Sequence, residues 1–188
     1  MTPESAAATP RIGVYPGTFD PVTIAHVHIA RCAIERFDLD RIDFTISATT
    51  LGKVDGELTA IDERVRQLRA ICNGDPALDV RTTPASLLAD IAEGYDVLVL
   101  GADKWHQVLD PTWYGGMDER NAALERLPIV ALAPRPPFTL PGEDDAADPP
   151  ASVRVVVLDT DERHHPVSAT AVREGRDDWR ARPIEGGR

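Results

Sequence analysis

The chain has 188 residues, 43% hydrophobic and 27% charged, and its 31 acidic and 20 basic side chains give a net charge of -11. That length suits one domain that can bury a core without disulfide or metal staples. No apolar run reaches the roughly 18 residues of a membrane span, and the acidic balance argues against a nucleic-acid backbone, which rewards clustered Lys and Arg.

Residues 1–10, MTPESAAATP, lack the basic region and apolar stretch of a secretory signal and are expected to form a disordered leader. Arg11-Ile12-Gly13-Val14-Tyr15 reads as a strand that ends at Pro16-Gly17. From Val22 to Arg36 the pattern is helical, with Ala30, Ala33, Ile34 and Phe37 on one face. Ile42, Phe44 and Ile46 alternate as in a strand. Thr59 and Asp62 look like a helix-start pair, and Ile61, Val65, Leu68 and Cys72 follow at helical spacing. Leu78–Arg81 reads as a strand and Pro84–Glu93 as a helix. Val97-Leu98-Val99-Leu100 is a continuous apolar run stopping at Gly101, as a buried parallel strand would. A polar-aromatic stretch, Asp103–Tyr114, leads to a helix over Asp118–Arg126. Ile129–Ala133 and Val153–Leu158 complete the strands.

This alternation predicts a single α/β domain with a mainly parallel sheet covered on both faces. The two cysteines, Cys32 and Cys72, sit in apolar patterns and are expected to be reduced and buried in a cytoplasmic protein. Residues 134–151, PRPPFTLPGEDDAADPPA, break the rhythm. Their prolines and acids predict a mobile loop, either a tolerated surface insertion or a substrate lid.

The stretch Gly13-Val14-Tyr15-Pro16-Gly17-Thr18-Phe19-Asp20-Pro21-Val22-Thr23-Ile24-Ala25-His26 carries the first chemistry. A strand ends, a glycine turn follows, and a helix begins with Thr23 and His26 on one face of its first turn. Free backbone N–H groups and the positive end of the helix dipole lie beside them, an arrangement suited to an anion. Near the other end, His164-His165-Pro166-Val167-Ser168-Ala169-Thr170-Ala171-Val172-Arg173 offers an N-cap at Ser168, with Thr170 and Arg173 in the following turns. Hydroxyls, free amides and a guanidinium are what a triphosphate needs, although an ordinary capped helix has the same look.

The first stretch resembles the signature G-T-F-D-P-x-[HT]-x-G-H of the HIGH-motif nucleotidyltransferases, among them the phosphopantetheine and bacterial nicotinate mononucleotide adenylyltransferases. The second resembles their I-S-S-T-x-[LV]-R motif. The two stand in the family's order, about 140 residues apart. The resemblance implies a Rossmann-like, doubly wound domain over residues 11–176, followed by a C-terminal tail over 177–188. It implies that His26 contacts the nucleotide phosphates, that the Gly17-Thr18-Phe19 backbone lies against nucleotide and acceptor, and that Ser168, Thr170 and Arg173 hold the β- and γ-phosphates. Thr23 would orient the acceptor phosphate, and Lys53 would neutralise charge there and on the migrating group. Gly101 and Asp103 resemble the G-x-D that meets the adenosine ribose; a helix-capping role is open for Asp103 as well. Trp105 and Trp113 are candidates for stacking on a flat acceptor, against the alternative of packing. Ala25 and Ala169 depart from the family's glycine and second serine.

The implied reaction is adenylyl transfer from ATP to a phosphate monoester, with release of pyrophosphate. Mg²⁺ would arrive bound to ATP, since no carboxylate cage is visible. Thr23, Lys53 and Leu87-Leu88-Ala89-Asp90 point to the phosphopantetheine branch. Gly101, Asp103, the tryptophans, Ala133-Pro134-Arg135-Pro136 and Val172–Arg176 point to nicotinate mononucleotide, which is the expectation carried forward. A nucleotide-binding module without catalysis is the alternative of a different class. The partners expected are ATP and a small phosphorylated acceptor, with no nucleic acid and no membrane; assembly into a homo-oligomer is left open.

Overall fold

The computed structural model describes residues 9–48 and 58–183. Six parallel strands form one sheet: β1 (Ile12–Pro16), β2 (Arg41–Ser47), β3 (Leu78–Thr83), β4 (Val97–Gly101), β5 (Ile129–Ala133) and β6 (Val155–Val157). Their spatial order is β3-β2-β1-β4-β5-β6, the order of a doubly wound Rossmann-like sheet. The single α/β domain with a parallel sheet is as expected. No described helix is long and apolar enough to cross a membrane.

Strand alternation assigns the two faces. Ile42, Phe44, Ile46, Leu78, Val80, Val97 and Val99 pack with α1 (Ile24–Phe37) and α2 (Ile61–Cys72). On the other face Val14, Leu98, Leu100, Val130 and Leu132 meet α3 (Leu88–Ile91), α4 (Ala102–Leu109) and α5 (Met117–Glu125). A last helix, α6 (Ala169–Arg173), follows β6. Because β4 is central, its successive side chains enter both cores, and the sequence shows an unbroken apolar run there.

Three expectations are corrected. Thr59 and Asp62 do not cap α2: its N-cap is Ala60, with no side-chain cap bond, and Thr59 is engaged elsewhere. The helix expected over Pro84–Glu93 shrinks to one turn at Leu88–Ile91, with Leu87 extended at its N-cap. Cys72 is buried but Cys32 is only half-buried, with His28 Nε2 at 3.5 Å from its sulfur. The proline-rich stretch 134–151 lies against α4. The Trp105 indole N–H donates to the Ala147 carbonyl at 2.9 Å, Ala147 is buried, and His106 Nε2 lies 2.9 Å from the Thr139 carbonyl. Residues beyond 176 also return to the domain. Ala181 N–H donates to the Val22 carbonyl at 3.0 Å, and Arg180 bridges Thr23.

Candidate active site

β1 has β2 on one side and β4 on the other, so the chain leaves its carboxyl end toward opposite faces of the sheet. A crevice opens at such a switch point. Here it is a cleft of about 390 Å³. Its floor is the turn after β1, Pro16-Gly17-Thr18-Phe19. Ala25 and His26 of α1 stand on one side, and Gly101 and Asp103 follow β4. Arg135 follows β5, and Ser168, Ala169, Thr170 and Arg173 belong to α6 and its cap. These segments converge because each lies at the carboxyl end of a strand or opens the next helix.

The floor is held in an uncommon conformation. Phe19 has φ 47°, in the left-handed region, which costs a non-glycine residue roughly 1–2 kcal/mol. Burial of its ring offsets that cost. The ring packs edge-on against Tyr15, Phe44 and His26, with centroids 5.6, 5.3 and 5.1 Å away. Gly17 is required by the same ring, since a Cβ there would meet it at 2.7 Å. The Gly17 N–H donates to the Thr45 carbonyl at 3.0 Å and ties the turn to β2.

Thr23 and His26 form a reciprocal cap at the start of α1. The Thr23 hydroxyl accepts from the His26 N–H at 3.4 Å, and His26 Nδ1 accepts from the Thr23 N–H at 3.0 Å. A backbone N–H can only donate, so Nδ1 carries the lone pair and the proton of the neutral ring sits on Nε2. Withdrawal from water and the nearby Arg135 guanidinium hold the His26 imidazole down at about 4. At neutral pH it is therefore an uncharged N–H donor on the cleft wall.

Thr23 itself is buried and absent from the cleft wall, so the expectation that it touches an acceptor phosphate is corrected. Its hydroxyl and amide serve His26. The Trp105 expectation is corrected as well: the indole is fully buried and bonded to Ala147, which makes it a packing residue. Trp113 lies on the cleft wall and is 43% exposed, in position to stack on a planar ligand. Gly101, not Asp103, is the N-cap of α4, which leaves the Asp103 carboxylate in the cleft, 3.5 Å from Arg135 Nε. Lys53 lies outside the described residues.

Ser168 is the N-cap of α6, accepting from the Ala171 N–H at 3.1 Å. Arg173 donates to the Asp20 carbonyl and, at 3.1 Å, to the Thr170 hydroxyl, so the second motif is pinned to the first. Asp20 accepts the Thr59 N–H at 3.0 Å. Burial works to raise its carboxyl, but the Thr59 bonds and the Arg173 and Arg64 charges outweigh it and hold Asp20 below the usual carboxylate range.

Sequence reasoning did not assign three features of the cleft. Arg135 brings a cation to within reach of Asp103, and the signal for it was its place just past the carboxyl end of a buried strand. Tyr15 and Tyr114 line the walls, and burial pushes the Tyr15 phenol up. His164 and His165 join the wall from the 3-10 turn Glu162–His164 and the residue after it. His164 stacks on His28 of α1, with ring centroids 4.2 Å apart.

Comparison with known proteins gives the family. The cytidylyltransferase-like family model matches residues 14–175, and the chain belongs to that family. A Methylorubrum extorquens (strain PA1) protein named "Probable nicotinate-nucleotide adenylyltransferase" is 31% identical over 162 residues, covering 79% of this chain and 83% of its own. A phosphopantetheine adenylyltransferase of Moorella thermoacetica is 32% identical over 90 residues, covering 48% of this chain and 52% of its own. Among solved structures, Plasmodium falciparum nicotinic acid mononucleotide adenylyltransferase complexed with NaAD superposes with a TM-score of 0.63 at 18% identity. That match covers 88% of this chain and 83% of the other, a likeness of fold.

Proposed function

We propose that this member of the cytidylyltransferase-like family transfers the adenylyl group of ATP to the phosphate of nicotinate mononucleotide and releases pyrophosphate. The carrying observation is the switch-point cleft, in which a neutral histidine donor, a second-motif arginine and an exposed tryptophan face one space. The relative from Methylorubrum extorquens supports the acceptor, because its similarity runs over most of both chains, whereas that to the phosphopantetheine enzyme covers about half of each.

An acceptor phosphate is already an anionic nucleophile, so no activated serine or cysteine is needed. One acceptor oxygen forms a bond to the α-phosphorus as the bond from that phosphorus to the α–β bridging oxygen breaks, and the electron pair leaves with pyrophosphate. The protein's task is alignment and charge stabilisation. His26 Nε2–H donates to the α-phosphoryl oxygen without bringing a charge of its own. Arg173, with the Ser168 and Thr170 hydroxyls, holds the leaving pyrophosphate, and Arg135 adds a cation opposite. Asp103 accepts from ribose hydroxyls, and Trp113 stacks on the pyridine ring. Mg²⁺ comes with the triphosphate as part of the substrate. It keeps much of its water and takes substrate oxygens, so it needs no three-residue protein cage.

Pyrophosphate release from Mg²⁺–ATP with nicotinate mononucleotide, nicotinamide mononucleotide and phosphopantetheine tests the proposal. Turnover with the nicotinate acceptor, at the highest kcat/KM of the three, is expected. Turnover with phosphopantetheine alone would move the chain to the other branch. ATP binding with no turnover on any acceptor would leave a nucleotide-binding module.

A further inference from the structure

Arg64, on the first turn of α2, is 3% exposed and is not part of the cleft wall. A guanidinium withdrawn from water needs partners for its fixed fork of donors. Arg64 finds them in two backbone carbonyls: its Nη1 donates to Thr18 and its Nε to Thr59, each at 2.8 Å. Thr59 in turn donates its N–H to Asp20. A closed circuit therefore runs from the floor of the cleft to the entry of α2 and back to the floor.

We infer that Arg64 is a positioning residue that aims the Phe19 amide at the nucleotide, an inference that rests on the adenylyl-transfer reading. In a trans peptide the C=O and the following N–H point in opposite directions. The Thr18–Phe19 peptide is trans, since the cis peptides among the described residues are Asp20–Pro21 and Pro136–Pro137. Arg64, which does not line the cleft, holds the Thr18 carbonyl, so the Phe19 N–H points away from Arg64 on a stretch whose Thr18 and Phe19 line the wall. The left-handed φ of Phe19 explains why such a hold is needed: relaxing to a common backbone conformation would rotate this peptide plane. The ring of Phe19 is anchored in the core, and Arg64 anchors the other end of the same unit.

Arg64→Lys tests this against a merely structural role. A lysine keeps the charge, but its single ammonium cannot reproduce the planar fork that spans both carbonyls. At a temperature well below every melting point, we expect Arg64→Lys to lose about tenfold or more in kcat with a smaller change in KM for ATP, as a misplacement at the reacting centre does. The rise in Tm on adding Mg²⁺–ATP should also shrink. Leu68→Ala, in the core on the same helix, supplies a protein of lowered Tm whose kcat and ATP response are retained. Arg64→Gln, with a single amide NH2 group and no charge, decides by the same readouts if the lysine variant does not fold. Losses no larger than those of Leu68→Ala at an equal fall in Tm would overturn the inference, as would full recovery of kcat and ATP response in Arg64→Lys. If the wild type binds ATP but turns over no acceptor, the adenylyl-transfer reading fails while the ATP-induced Tm shift still decides for or against Arg64. A wild type with no ATP response removes both.

Discussion

Thr23 and His26 satisfy each other at the start of α1, the hydroxyl of one taking the amide of the other and the imidazole Nδ1 taking the amide of the first. The exchange does two things at once. It satisfies N–H groups that a helix start leaves unpaired, and it fixes which ring nitrogen of His26 carries the proton.

Thr23→Val should therefore act through His26 and not through direct contact with an acceptor. Loss of the cap hydroxyl is expected to cost about 1 kcal/mol in stability. The kcat should fall with KM for the acceptor nearly unchanged, whereas Thr23→Ser, which keeps the hydroxyl, should stay close to wild type in both. A large rise in acceptor KM for Thr23→Val would restore the direct-contact role. His26→Ala, which removes the donor itself, should abolish turnover while leaving the fold intact by circular dichroism.

The same ring predicts a pH dependence of stability. His26 is held at about 4 in the folded chain against 6.5 for a free histidine. Between these values the unfolded chain binds a proton that the folded chain refuses, so stability rises with pH. The His26 contribution is complete above about pH 6.5 and is lost as pH falls toward 4. Urea midpoints at pH 7, 6 and 5 should decline more steeply for the wild type than for His26→Gln. His164, held down first by burial and then by His28, adds a loss of the same sign that both proteins share. Parallel declines would mean that His26 is not withdrawn from water.

The two tryptophans separate packing from recognition. Trp113→Ala should raise acceptor KM by about tenfold, the worth of a stacked ring, with little change in Tm. Trp105→Phe leaves the Ala147 carbonyl without its donor and should lower Tm while acceptor KM stays put. Steady-state kinetics with varied nicotinate mononucleotide, beside thermal melts, distinguishes them; equal effects on acceptor KM would return Trp105 to the site.

Much of the fold was legible because its signals are local. The run Val97–Leu100 ending at Gly101 marked the central strand, since a strand buried on both faces has no polar side to show. The Ser168 cap was legible for a similar reason, as a cap is made by a residue with its own near neighbours. Where the reading missed, a distant partner had claimed the residue. Thr59 resembled a cap, yet Asp20 takes its amide and Arg64 its carbonyl, and the helix starts at Ile61 with Ala60 as its N-cap. Leu87, Leu88 and Ile91 have helical spacing, but only one turn forms, with Leu87 extended at its N-cap. Trp105 and Trp113 are alike in composition and context; nothing short of the docking of residues 134–151 on α4 could tell the buried indole from the exposed one.

The amino-acid sequence alone determined the alternation of strands and helices and the two motifs, because strand period, helix period and caps depend on neighbours a few residues away. Only the tertiary structure decided where each candidate lies and what it touches. Thr23 turned inward to serve His26, Asp103 was left for the cleft, Arg135 arrived from another strand, and Arg64 took hold of the floor from behind. Those assignments rest on contacts between segments far apart in the chain, and such contacts exist only once the sheet has brought the carboxyl ends of its strands together.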